Sequence, residues 1–581
     1  MRLALAALAL SLASPALATP DEDLAQLEQD YWQWVLRESP ILATTVGVRD
    51  YDDRVGDISL AAEDRRAGEA QVFLDRLRAI PEGGLSPVSL VNRGILERQL
   101  AESIEANSFP QRVMLFTTYS GWHQQFAGLS SYVPLTTPAD FESYLARLRL
   151  YPEVNDEAIA ISTQAIEQGY TLPCAVLDGY ETSISGVIGE DVTQSRFYEP
   201  FTRPRPSGLT EVQFERYATE AREIIETVLR PEFEQHLAWY RTQYLPACRE
   251  QVGISAQEGG AEYYAFRVRQ MTTTELTPEE IHQIGLAEAT RIRGEMVEVA
   301  AEAGFDSREA FIEHLRTDPQ YYAETPEELM QYVARELKRL DGLMPTMFET
   351  LPRLPYGIRE IPAEIAEGTT TAYYGSGSPE SGISGTYYVN TSLLDQRPLW
   401  EVPALSAHEA VPGHHHQIAL QQELDLPEWR RHIAFFTAFT EGWGLYAERI
   451  GLDMGLYDTP AENMGRLSYE MWRAARLVVD TGMHAMGWPK ERAIAFMREN
   501  TALTDANIEA EVNRYISWPG QALAYKLGEL KIRELRARAE TALGEDFDLR
   551  RFNDAVLAQG AVPLDVLEAQ IDRWIAEQQG S

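Results

Sequence analysis

A mainly α-helical body carrying one small β-sheet or hairpin is the fold this sequence predicts, and three observations carry it. Apolar residues recur at three- and four-residue spacing through long segments in both halves of the 581 residues. "TPEEI" at Thr277 and "TPEEL" at Thr325 read as helix starts, with Thr as N-cap, Pro at the first position and acids in the first turn. One segment, Tyr356 to Thr391, is instead rich in Thr, Tyr, Ile and Val around a Gly/Ser/Pro turn, which reads as strand. Hydrophobic residues make up 44% of the chain, enough for a large core.

In chain order, "MRLALAALALSLASPALATP" comes first. Arg2 is a short positive region, and Leu3 to Ala13 is an apolar run too short to span a bilayer. Ala16-Leu17-Ala18 is a small-residue cleavage site. Residues 1–18 are therefore expected to be a signal peptide cleaved after Ala18, and the mature protein is expected in the periplasm or outside the cell, off the membrane. Residues 19–256 read as a helical first half, with "LAQLEQDYWQWVLRE" and "FERYATEAREIIETVLRPEFEQHLAWYRTQY" as its clearest helices. It holds both cysteines, Cys174 and Cys248. Export favours a disulfide between them, and two buried thiols are the alternative. Residues 257–581 form a second half, opening with "EEIHQIGLAEATRIRGEMVEVAAEAG". The formal net charge is −38, from 89 acidic and 51 basic residues. Such a surface argues against nucleic acid or anionic membrane as a partner.

The strand-like region 356–391 lies just before "HEAVPGHHHQ", which places four of the ten histidines in the nine positions His408 to His416. The beginning resembles H-E-x-x-H, but Pro412 stands four residues after His408. On a straight helix, rings at i and i+4 converge, whereas i+6 is turned away by about 240° and i+7 is about 10 Å along the axis. Pro412 removes an N–H and crowds the His408 carbonyl, and Gly413 accepts almost any backbone angles. Together they are expected to widen one turn, as a bulge does, and to return His414 to His408. Glu409 then takes the general-base position. "FFTAFTEGWGLYAERI" supplies a third ligand, Glu441 or Glu448. Glu441 is favoured, because Gly442 and Gly444 beside it allow close helix approach. A polar helix end rich in histidine is the alternative.

Two later helices add polar groups. "WRAARLVVDTGMHAMGW" lines up Arg473, Arg476, Asp480 and His484 on one face. Asp480 and His484 are expected to pair, with His484 free to donate to a reacting oxyanion; a buried structural network is the alternative. "EVNRYISWPGQALAYKLGEL" carries Arg514, Tyr515, Tyr525 and Lys526. Tyrosine hydroxyls can stabilise a tetrahedral intermediate, and Arg or Lys can grip a substrate carboxylate.

"HEAVPGHHHQ", "EGWGLYAE", "DTGMHAMGW" and "RYISWPGQALAYKLG" resemble, motif by motif, the bacterial family catalogued as domain of unknown function 885. That family is distantly similar to the helical zinc peptidases typified by angiotensin-converting enzyme and thimet oligopeptidase. The resemblance implies two helical lobes around a deep groove, with the small sheet beside the metal helix. It implies an exported zinc metallopeptidase acting on short peptides. His408, His414 and Glu441 match the zinc ligands, with His415 the rival of His414, and Glu409 matches the general base. Tyr525, His484 and Tyr515 match the groups that steady the oxyanion. Tyr387 and Tyr388, in the strand region, and Arg514 are the expected substrate contacts. Two other readings stay open: a zinc hydrolase of another amide or ester, and a non-catalytic exported peptide-binding protein.

Overall fold

The computed structural model describes residues 19–580 apart from 119, 362–365, 367–369, 378 and 380–382. The expected leader and its cleavage after Ala18 lie outside the described residues.

Helices dominate, and their ends follow the local chemistry. Helix α1 (Pro20–Glu38) starts at Thr19, which forms a reciprocal capping box with Glu22. It buries Leu24, Leu27, Tyr31 and Val35, the predicted three- and four-residue stripe. Helix α2 (Glu211–Ile224) runs on through a wide turn at Ile225–Leu229 before Pro231, whose missing N–H an ordinary turn would leave unmatched. Thr277 caps α3 (Pro278–Glu302) and Thr325 caps α4 (Pro326–Met347), both as the Thr-Pro-Glu-Glu pattern predicts.

The region after α4 forms a three-stranded sheet. Strand β1 (Tyr356–Glu360) pairs in parallel with β3 (Gly385–Val389), and β2 (Ala372–Gly375) pairs antiparallel with the other side of β3. Side chains alternate between faces along a strand. Tyr387 and its partner Tyr374 therefore share one face, while Tyr388 and Tyr373 stack on the other, with ring centroids 4.8 Å apart.

Six helices after the sheet build the site. They are α5 (Val402–Glu409), α6 (His414–Glu423), α7 (Thr437–Asp453), α8 (Pro460–His484), α9 (Asp505–Ser517) and α10 (Ala524–Leu543). α8 is buried on all sides over most of its length, as a central core helix must be. α7 and α10 pack closely at a pair of facing glycines. A Cβ on Gly442 would fall 2.5 Å from Gly528 Cα.

One connected apolar core takes in Trp32, Phe141 and Tyr244 from before residue 256 and Tyr387, Trp443 and Ile571 from after it. Buried Arg430 donates to Asn92 Oδ1 at 2.7 Å across the same boundary. Cys174 and Cys248 are bonded, with Cα atoms 5.0 Å apart, so the disulfide is the alternative the fold adopts. Among the described residues, no helix is long and apolar enough to cross a membrane.

Candidate metal centre

The histidine-rich stretch is not one helix with a widened turn. α5 ends at Glu409, α6 begins at His414, and Ala410–Gly413 is a turn between two helices. The Val411–Pro412 peptide is cis. Trp443 of α7 pins this turn, its Nε1 donating to Pro412 O at 2.8 Å. Gly413 is required for closeness: a Cβ there would land on the His408 carbonyl oxygen. The break lets α6 set off in a new direction, which removes the phase problem of a six-residue spacing.

His408, His414 and Glu441 come together as a result. Each offers one donor atom, and the three atoms lie within 4.8 Å of one another. Glu441 Oε2 is 3.6 Å from His408 Nε2 and 3.5 Å from His414 Nε2. The His408 side chain is 3% exposed, His414 11% and Glu441 17%. The cluster thus has a closed back and an open rim, and Glu409 is half-buried beside it. Burial raises the Glu409 carboxyl above its ordinary value, against the pull of His408 and His414.

Glu448 takes the role of a positioning group. Its Oε1 accepts from His408 Nδ1 at 2.8 Å, which leaves Nε2 as the atom turned to Glu441 and His414. Glu441 and Glu448 stand seven residues apart, two turns on one face of α7. Gly444 lies between them, and a Cβ there would meet the His408 ring at 2.7 Å. The ring fits over α7 because Gly444 leaves that space. An acid pair at i and i+7 around a glycine is the sequence signal for this arrangement. Arg473 continues it: its Nη2 is 3.8 Å from Glu448 Oε1, and its guanidinium lies over the rings of Tyr469 and Trp472 at 4.8 and 4.5 Å. Burial lowers the His408 imidazole, but hydrogen bonds to Glu441 and Glu448 outweigh it and raise the group to about 10.

His415 is engaged elsewhere. Tyr374 Oη donates to its Nδ1 and its Nε2 donates to Leu354 O, both at 3.0 Å, so it ties α6 to the sheet. His416 packs on Phe348, ring centroids 4.3 Å apart, and burial lowers it to about 3. A cleft of about 530 Å³ lies against this side of the turn, with Val411, His415 and His416 in its wall and neither His408 nor His414.

The other expected site residues separate. His484 is fully buried, accepting from Ile254 N at 3.1 Å and donating to Tyr515 O at 2.9 Å, so it has no nitrogen left for an oxyanion. It does not pair with Asp480, whose Oδ1 instead accepts from Tyr264 Oη and Gly520 N. Tyr515 is also buried and spent. Its hydroxyl donates to Glu511 Oε2 at 2.7 Å and accepts from Trp472 Nε1 and Arg476 Nε, each at 2.9 Å. Tyr387 is buried beneath the site, where burial and the Glu409 charge both raise its hydroxyl. Tyr387 is therefore closed to a substrate, and half-buried Tyr388 lies on the sheet face away from the triad. Lys526 is fully enclosed by Glu288, Glu470 and Glu529. Buried Tyr525 and half-buried Arg514 stay together, with Arg514 Nη2 donating to Tyr525 Oη at 3.3 Å and to Gln521 Oε1 at 2.9 Å.

Comparison with known proteins places the chain in a family. The family model described as "Bacterial protein of unknown function (DUF885)" matches residues 40–571. Among solved structures, the chain is similar to "the putative lipoprotein from Colwellia psychrerythraea", at 28% identity and a TM-score of 0.90, covering 97% of this chain and 100% of that one. It is also similar in fold to "a putative lipoprotein of unknown function from Shewanella oneidensis", at 18% identity and a TM-score of 0.71, over 94% and 99% of the two chains. No curated protein matches the sequence.

Proposed function

The chain belongs to the DUF885 family of bacterial proteins, and from that premise we propose that it is an exported zinc-dependent hydrolase, a metallopeptidase of short peptides. The observation that carries this reading is the convergence of His408, His414 and Glu441 with a glutamate, Glu409, directly after the first histidine. Two imidazole nitrogens and one carboxylate oxygen are a donor set zinc takes, and three protein ligands with an open rim are the pattern of a catalytic site. Export is supported by the leader-like first 18 residues and by the description of the similar structures as putative lipoproteins. The choice of peptides follows the resemblance to helical zinc peptidases.

When bound, zinc would polarise a carbonyl and make a water acidic. The chain's residues supply the rest. His408 and Glu441 are held in place by Glu448 and by the close packing of α7. Glu409 accepts the proton of the attacking water and returns one to the leaving group. Tyr525, with a hydroxyl already held by Arg514, is the tyrosine left to donate to an oxyanion.

The test is metal analysis with peptide cleavage. The purified chain should carry one zinc, lose cleavage of a mixed peptide library on chelation, and regain it when zinc is returned. Cleavage that survives complete metal removal, or a chain that takes up no metal, would sink the reading. A separate expectation concerns Glu448→Gln. With the charge that orients His408 gone, zinc affinity should fall about 10- to 100-fold in a chelator competition. Unchanged affinity would show that Glu448 does not orient the ligand.

A further inference from the structure

His416 is the one residue of the histidine-rich stretch that serves neither the metal centre nor the tie to the sheet. It is fully buried, and neither of its ring nitrogens has a hydrogen-bond partner among the described residues. Burial keeps the ring neutral, so it carries one N–H donor and one lone-pair acceptor. Leaving such groups unmatched in the interior is costly, and the cost is removed when a partner binds.

His416 stands in the wall of the cleft of about 530 Å³ beside the turn. That volume lies in the range of small-molecule sites, which are mostly apolar with a few placed polar groups. The wall has this character. Leu337 and Met344 of α4, Leu354, Ile358 of β1 and Val411 of the turn supply apolar surface. Phe348 packs on the His416 ring, and Tyr356 packs on His415 with ring centroids 4.7 Å apart, so aromatic contacts hold both imidazoles.

The ionised side chains of the wall are already matched. Lys338 Nζ is 3.0 Å from Asp341 Oδ2, Asp341 Oδ1 accepts from Tyr356 Oη at 2.8 Å, and Arg353 pairs with Glu423 at 3.0 Å. Both His415 nitrogens are taken, by Tyr374 and by Leu354 O. His416 is therefore the buried side chain of the wall still open to a hydrogen bond, and no charge is left over for an ionic ligand. The cleft and the metal centre share the turn Ala410–Gly413, but the cleft takes in none of the three donor residues.

We propose that this cleft is a second ligand site, which takes a small uncharged molecule with an aromatic or branched apolar body and one hydroxyl or amide bonded to His416. The proposal stands apart from the hydrolase reading, because it uses neither the metal nor Glu409.

Three probes of similar shape test it by calorimetric titration into the full-length protein: 4-methylphenol, toluene and 4-methylbenzoate. 4-Methylphenol should bind about threefold to tenfold more tightly than toluene, the worth of one neutral hydrogen bond. 4-Methylbenzoate should bind more weakly than either, because its charge finds no partner in the cleft. His416→Phe keeps a ring in place and should bring 4-methylphenol down to toluene. Ala334→Phe, which fills the cleft from α4, should abolish binding of both. Failure of every probe to bind at millimolar concentration, a preference for the benzoate, or a phenol preference that survives His416→Phe would overturn the proposal. Binding that vanishes when metal is removed would also overturn it, by placing the probe at the metal centre. The ranking of the three probes on the parent protein needs no substitution, so a misfolded variant cannot mask the answer. A chain that holds no metal would fail the hydrolase reading and leave this one standing.

Discussion

Replacing Glu409 by glutamine should lower kcat for peptide cleavage by about 100- to 10,000-fold, the usual worth of a general base, and leave the zinc content unchanged. Glutamine has the same shape and fills the same half-buried position beside His408, so the turn and the three donor atoms stay in place. It cannot take a proton from water at neutral pH. The separation of the two readouts is the point: metal retained with activity lost assigns proton transfer to Glu409, whereas loss of both would assign it to building the centre. A variant that cleaves within about threefold of the parent would remove Glu409 from the chemistry and assign the proton transfer to another group. Metal stoichiometry by mass spectrometry and steady-state cleavage of one peptide, on the same preparation, decide between these outcomes.

Gly413→Ala should damage both the fold and the metal centre. The added Cβ would coincide with the His408 carbonyl oxygen, which is backbone and cannot swing aside. The turn must open, and His414 moves with it. We expect a loss of about 3 kcal/mol in urea unfolding and a fall in zinc affinity of about 100-fold, comparable to losing a supporting group. Parental stability together with parental zinc affinity in the variant would show that the tight turn is not what carries His414 to His408.

Much of the fold was legible before any coordinates. Capping boxes and Thr-Pro-Glu-Glu starts depend on three or four consecutive residues, so Thr277 and Thr325 act as caps where the pattern puts them. The switch to Thr, Tyr and Val marks the sheet, though not its order, because β1 pairs with β3 across the intervening β2. The triad His408, His414 and Glu441 was legible from residue types plus a helix-breaking Pro-Gly. Its means was not: the spacing suggested a widened turn, and the chain makes two helices. His484 and Tyr515 look like catalytic groups in sequence for the same reason that they serve structure. Both are polar residues on apolar helices, and only their partners tell the two uses apart.

The sequence by itself determined that the chain is helical, that it carries a small sheet before a histidine-rich stretch, and which residue types meet there. Those properties rest on short-range periodicity and local backbone chemistry. Tertiary structure alone decided which nitrogen of His408 faces Glu448, that His414 and not His415 turns toward Glu441, and that His416 lines a cleft apart from the metal centre. Each of these depends on where a second helix packs, to within an ångström or two. That placement follows from the whole buried core, including the space left at Gly442, Gly444 and Gly528, and no local pattern contains it.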